Sequence, residues 1–268
     1  MNESLRLYLE NYMRGDFAGT FAADYGENRK AEEGLTAGSD SLEKRQRLEK
    51  TLSQFDRYTE LLREWNEKVN LTAITAPAEI EIKHYLDSLL LLKANCWRPA
   101  LRIADMGSGA GFPGLPLKLA EPTAAVDLFD SSGKRVSFLN LVIAELALPA
   151  ASAYHLRAEE AGQKKEFRES YDLVVSRAVA ALPLLLEYCL PLVKPGGYFA
   201  AYKGPGFQEE LAGAGKALSL LRGQLDQVLE EELPEGQGSR NILMFKKTAS
   251  LSGKYPRRPG IPAKQPLV

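Results

Sequence analysis

The sequence predicts an α/β fold: a doubly wound, mostly parallel sheet preceded by an N-terminal helical cap. Three observations predict it. From Leu101 onward, short apolar runs alternate with amphipathic segments, the pattern of strands and crossover helices. A glycine-rich turn, Gly107 to Gly111, joins the first of those strands to the first of those helices. Upstream of Leu101, apolar residues recur at helical spacing instead.

Taken in order, residues 1 to about 14 read as a short helix. Gly15 to Asp40 is rich in Gly, Ala, Asn and charge and lacks periodicity, so it reads as a mobile insertion. After Ser41 comes a long helix, with Leu48, Leu52, Phe55, Tyr58, Leu62 and Trp65 in one stripe, ended by Asn70-Leu71-Thr72. A second apolar helix, Ile80 to Leu92, follows Pro77. These segments divide the chain into 1–47 (helix plus insertion), a helical cap over 48–97, a catalytic domain over 98–248 and a tail over 249–268. In the third of these, strands are expected at Leu101–Met106, Ala124–Phe129, Ala153–Leu156, Tyr171–Val175, Tyr198–Tyr202 and Asn241–Phe245. Helices are expected at Pro113–Ala120, Gly133–Ala147, Leu182–Leu190 and Gln208–Leu221. Proline is tolerated in a first helical turn, and Lys194-Pro195-Gly196-Gly197 reads as a turn.

The 268 residues are 45% hydrophobic and 26% charged, ordinary for a soluble protein. No apolar run reaches the length of a membrane span, and the first residues lack the pattern of a secretory signal. Cys96 and Cys189 have no metal or redox spacing, so they read as reduced thiols of a cytoplasmic protein. The net charge is −1, yet from Gly236 to Val268 there are seven Lys or Arg and no Asp or Glu, which leaves the remainder near −8. A basic end can attract phosphate, or it can be a solvated tail.

Asp105-Met106-Gly107-Ser108-Gly109-Ala110-Gly111 stands between strand and helix. Glycines let a turn tighten and let a ligand approach the backbone. Asp105 lies two residues before the first glycine. The next strand runs into Asp130, placed to hydrogen-bond a ribose diol, and Leu192-Val193-Lys194-Pro195-Gly196-Gly197 leads into a later strand. Dinucleotide enzymes use G-x-G-x-x-G; here the third glycine comes one residue early, and Phe112, Pro113 and Pro116 crowd the helix start where a phosphate would rest. S-adenosylmethionine (SAM) has no phosphate and fits the turn better. The expected fold is therefore a Rossmann-like SAM methyltransferase.

Further motifs stand in a fixed order. They are Trp65-Asn66 to Asn70-Leu71-Thr72, His84-Tyr85-Leu86-Asp87-Ser88, Gly-Ser-Gly-Ala-Gly-Phe-Pro-Gly-Leu-Pro (107–116), Asp-Ser-Ser-Gly-Lys-Arg (130–135), Ser-Arg-Ala (176–178) and Tyr-Lys-Gly (202–204). With these the chain resembles the glucose-inhibited division protein B (RsmG) family, bacterial enzymes that make 7-methylguanosine in 16S ribosomal RNA. The resemblance spans about Leu48 to Phe245, and the Lys254-Tyr-Pro-Arg-Arg-Pro-Gly tail is similar to tails in part of the family. It implies SAM contacts at Gly107, Phe112, Ala158, Glu159 and Arg177; Asp130 is added by the ribose argument. Phe112 has a second reading as core, and Glu159 as a helix-start carboxylate favoured by the dipole. Both lie at carboxyl ends of strands, where ligands bind in such sheets.

Guanine N7 carries a lone pair and no proton, so its methylation needs alignment rather than a general base. No catalytic acid or base and no metal is therefore expected. Cys189 lacks the Pro-Cys or Thr-Cys context of a cytosine C5 enzyme, and Ser176-Arg177-Ala178 stands where exocyclic-amine enzymes carry an Asn/Asp-Pro-Pro loop. Arg177 can serve the cofactor carboxylate, a target phosphate or O6. His84 and Asp87, one turn apart, either shape the cofactor pocket or form a local pair. Lys134, Arg135, Lys203, Arg257 and Arg258 are the RNA-binding candidates, with 16S RNA or the small ribosomal subunit as partner and a monomer as the expected state. Other readings are a small-molecule methyltransferase, a non-catalytic RNA-binding assembly factor and a dinucleotide oxidoreductase.

Overall fold

The computed structural model describes residues 3–15 and 39–268, with side chains over 3–15 and 42–268. The expected insertion over Gly15–Asp40 lies, from 16 to 38, outside the described residues. In chain order the strands are β1 (Arg102–Met106), β2 (Ala125–Asp130), β3 (Ala151–His155), β4 (Tyr171–Arg177), β5 (Val193–Lys203), β6 (Gly223–Glu232) and β7 (Ser239–Lys247). They form one sheet in the order β3-β2-β1-β4-β5-β7-β6. The first five run parallel, and β7 is inserted antiparallel between β5 and β6.

Helices cover both faces of the parallel part. This is why β1 and β4 read as unbroken apolar runs, with Ile103, Ala104, Val174 and Val175 fully buried. On one face lie α1 (Glu3–Arg14), α2 (Ser39–Asn66) and a helical run of α3 (Pro77–Ile80), a π turn (Glu81–Leu86), α4 (Asp87–Leu89) and a 3-10 turn (Leu90–Lys93), with α5 (Gly114–Ala120) and α6 (Gly133–Glu145). The stripe predicted on α2 is the buried one: Leu52, Phe55, Tyr58 and Leu62 share a core with Tyr85, Leu115, Leu128, Phe138 and Leu139. The other face carries α7 (Ala158–Ala161), α8 (Leu182–Cys189), α9 (Phe207–Ala212), α10 (Gly215–Leu220) and α11 (Ile261–Lys264) over a second core of Val174, Leu186, Leu190, Phe199 and Phe245.

Three elements differ from expectation. The helix over Gln208–Leu221 is two helices broken around Gly213, because glycine supports helix weakly. The turn at 194–197 lies inside β5, where Gly196 takes φ 81° and the pairing with β4 shifts register. A further strand, β6, stands where the sequence pattern predicts none. Nor is the tail a solvated arm: Tyr255, Pro256, Pro262 and Leu267 are buried. Among the described residues, no helix is long and apolar enough to cross a membrane.

Candidate cofactor-binding site

The carboxyl ends of β1, β2 and β4 meet at the glycine turn. Gly107, Gly109 and Gly111 have φ of 75°, 59° and 101°, a region L side chains rarely adopt. Gly107 N–H and Ser108 N–H both donate to the Phe129 carbonyl, at 2.8 and 3.0 Å, which ties the turn to the end of β2. A Cβ on Gly107 would overlap the Val179 side chain, which the loop after β4 lays over the turn. Ala178 takes φ 56° to make that crossing.

Asp130 stands where the sequence placed it, 4% exposed at the end of β2. Its Oδ2 accepts from Gly109 N–H at 2.9 Å and its Oδ1 from Ser132 N–H at 2.8 Å, with Arg135 Nη1 3.6 Å from Oδ2. Asp130 thus braces the glycine turn, a role the ribose argument did not contain. Asp105 lies fully buried beneath the turn. Its Oδ2 accepts from Gly114 N–H at 2.8 Å, while its Oδ1 has no partner. Burial pushes this carboxyl up to about 7, against the pull of the Gly114 N–H and Arg177.

Phe112 is 5% exposed and joins the turn to the cap. Its ring stacks on His84 at 4.4 Å between centroids, with Tyr58 at 5.6 Å and the Arg177 guanidinium carbon 5.1 Å from its centre. Tyr58 also donates its hydroxyl to the Ala110 carbonyl within the turn. Core and site are therefore one cluster at Phe112.

Arg177, the last residue of β4, is held by the cap. Its Nη1 donates to Asp87 Oδ2 at 2.7 Å and to Lys83 O at 3.3 Å, and its Nη2 lies 3.2 Å from His84 Nδ1. A guanidinium only donates, so His84 Nδ1 accepts and Nε2–H faces Thr72 Oγ1 at 2.8 Å. Burial, reinforced by Arg177, lowers the His84 pKa to about 3, so the ring stays neutral. Thr72 is fixed in turn, because Asn66 Oδ1 accepts from Leu71 and Thr72 N–H at 2.8 and 3.0 Å. The motifs at 65–72 and 84–88 are thus one relay ending on Arg177. The π winding of Glu81–Leu86, a form frequent at functional sites, carries His84 in that relay.

Beyond β3, Leu156 N–H donates to Asp130 O at 3.2 Å, which ties the segment leading into Ala158 and Glu159 to the end of β2. Glu159 is 5% exposed; its Oε1 accepts from Gly260 N–H at 3.1 Å and lies 3.5 Å from the Tyr188 hydroxyl. The basic candidates divide. Lys134 and Arg258 are exposed. Arg135 faces Asp130, Lys203 donates to Glu210 at 2.7 Å and to Ala180 O at 2.9 Å, and Arg257 grips Glu187.

A cavity of about 230 Å³ opens at the carboxyl end of β4, walled by Arg177, Ala178, Asp87 and Tyr202, and by Arg240 and Asn241, which the sequence did not mark as a pair of site residues. Arg240 Nε lies 3.4 Å from Asp87 Oδ1, and Tyr202 donates to Ser88 O at 2.6 Å. Burial pushes the Asp87 carboxyl above its usual range, and Arg177 and Arg240 oppose the shift. Arg240 and Asn241 reach this edge only because β7 is antiparallel, so nothing local in the sequence pointed to them. No group of His, Cys, Asp or Glu among the described residues could hold a metal ion.

The inserted antiparallel β7, on an otherwise parallel sheet with a bare glycine turn after β1, defines a Rossmann-like SAM methyltransferase rather than the 3-2-1-4-5-6 dinucleotide fold. The residues fit that cofactor, since the turn is bare backbone with open space at Gly109 and the Asp130 carboxylate stands beside it. The chain belongs to the family described as GidB, rRNA small subunit methyltransferase G, whose model matches residues 51–242. It is 48% identical over 214 residues to the ribosomal RNA small subunit methyltransferase G of Desulforamulus reducens, covering 80% of this chain and 89% of that one. It is 46% identical over 216 residues to the protein of the same name from Alkaliphilus oremlandii, covering 81% and 90%. A solved SAM-dependent methyltransferase from Aquifex aeolicus matches with a TM-score of 0.48 at 18% identity, over 63% of this chain and 93% of that one.

Proposed function

We propose that the protein transfers a methyl group from SAM to N7 of a guanosine in 16S ribosomal RNA, acting as a cytoplasmic monomer on the RNA or on the small subunit. The observation that supports this most directly is the cavity at the carboxyl end of β4, with room for one base and with Arg177 in its wall. Arg240 and Asn241 line it and can donate to guanine O6, where adenine carries an amino group that cannot accept. Asp87 lies behind them, 3% exposed, with its carboxylate turned to Arg177 and Arg240.

When bound, SAM supplies an electrophilic methyl on a cationic sulfur. Gly107 and Phe112 would hold its body, Asp130 its ribose, Ala158 and Glu159 its adenosine end, and Arg177 its carboxylate. The chain's contribution is orientation and exclusion of water, worth several powers of ten when reacting atoms are well aligned. A base is not required, and His84, held neutral and turned toward Thr72, serves to hold Arg177. Lys134 and Arg258 are the exposed candidates for RNA phosphates. The test is incubation of purified protein with labelled SAM and unmodified 16S RNA or small subunits, with N7-methylguanosine mapped by borohydride–aniline cleavage. Label at one guanosine is expected. Absence of label in RNA in every substrate form would defeat the reading.

A further inference from the structure

The C-terminal segment is a strap fastened to the second face of the sheet. Arg257 gives its backbone N–H and Nε to Glu187 Oε1 at 2.9 and 2.8 Å, and its Nη2 to Oε2 at 2.6 Å. Glu187 is 1% exposed. Pro256 packs so closely on Gly162, the residue that closes α7, that a Cβ there would overlap its ring. Gln163 Nε2, one residue on, donates to Pro256 O at 2.7 Å. Three residues past Arg257, Gly260 N–H reaches the buried carboxylate of Glu159.

The helix held this way cannot hold itself. Ala158–Ala161 is a single turn, and isolated helical turns are unstable because nucleation fixes many dihedrals for few hydrogen bonds. Its orientation is set by what it packs against: α8 and the second core, where Ala161 is fully buried, the strap at Gly162 and Glu159, and the end of β2 through Leu156 N–H. A buried carboxylate likewise needs donors to keep its charge and one rotamer. For Glu159 the strap supplies Gly260 N–H, and α8 supplies the Tyr188 hydroxyl.

We propose that this strap is a positioning element of the SAM site, with Arg257 as its anchor. The Arg257–Glu187 pair fixes Gly260, Gly260 fixes Glu159, and Glu159 sets the Ala158–Glu159 turn against the end of β2. Arg257 then works at a distance from both cofactor and RNA, and its basic charge is spent on Glu187. The inference rests on the assignment of Ala158 and Glu159 to the cofactor.

The test is calorimetric titration of SAM into the full-length wild type, R257A, E187Q and R257K, with melting temperature, steady-state kinetics and RNA affinity at several salt concentrations measured on each. R257A and E187Q are expected to bind SAM about tenfold or more weakly at unchanged stoichiometry. The KM for SAM rises, kcat at saturating SAM holds, and the salt slope of RNA binding matches wild type. R257K, which keeps the charge but loses the two-pronged grip, falls between. Should R257A and E187Q melt below the assay temperature, R257K decides the question by the same comparison. Wild-type SAM affinity in the variants overturns the proposal, with a flattened salt slope marking the strap as an RNA arm instead. Falling stoichiometry at constant affinity overturns it too, since the strap would then only hold the fold. A wild type that takes up no SAM strikes the underlying cofactor assignment, and is told apart because no variant is involved.

Discussion

Gly107 shows how little freedom the site leaves a single residue. Its φ of 75° and the Val179 side chain above it exclude any Cβ without displacement of the loop after β4. Gly107→Ala is therefore expected to weaken SAM binding by about tenfold or more, roughly 1.4 kcal/mol or above, while the fold persists. Calorimetry and circular dichroism check the two halves, and an unchanged SAM affinity would remove the turn from the site. His84 makes a different kind of prediction. Its pKa is about 3 when folded against an ordinary 6.5, so the unfolded chain takes up the proton first as pH falls. The stability it contributes is complete above pH 6.5 and is lost as pH drops toward 3, by at most ~1.4 kcal/mol per pH unit. His84→Gln should flatten that part of the acid-unfolding profile measured in urea at successive pH values. A variant with the wild-type slope would show that His84 already titrates normally.

Among the elements, α2 is tied to the glycine turn by the Tyr58 hydroxyl and by the rings of Tyr58 and Phe112. Tyr58→Phe keeps the ring and leaves the Ala110 carbonyl without that donor. It is expected to cost about 1–2 kcal/mol in chemical denaturation and to raise the SAM dissociation constant, and no change in either would reduce Tyr58 to filler. The buried stripe of the same element was legible, because Leu48 to Trp65 has one helical period and one apolar face, although the helix ends at Asn66 and not at Asn70. β6 was not. It is an edge strand of mostly polar residues, and its pairing slips between Leu225 and Gln227, so Leu225 and Val228 fall out of strict alternation. The two-piece helix after Lys203 differs for a related reason: apolar residues continue through the break, and only Gly213 and Gly215 mark it.

Across the whole molecule, the glycine turn and the strand-end Asp130 were legible because glycine conformation and strand ends are local properties of the chain. Arg177, His84 and Asp87 were visible as candidates, but their mutual grip across ninety positions was not, and Arg240 and Asn241 arrive on a strand whose direction no local pattern reveals. Nor did the tail's basic composition disclose that Arg257 faces a buried Glu187. The position of β7 bears also on how the protein is made. The last strand to leave the ribosome must slot between two synthesised before it, and until then β5 presents open backbone groups beside Phe199 and Ala201. Nascent chains halted before Ser239 are thus expected to associate through that unfinished flank and sediment, whereas chains ended after Lys247 close it. Light scattering of the two lengths would compare them, and a monodisperse shorter chain would count against this order of assembly. Completion of the sheet is thereby deferred until β7 is made, which makes slow or interrupted synthesis between β6 and β7 a hazard for this protein in particular.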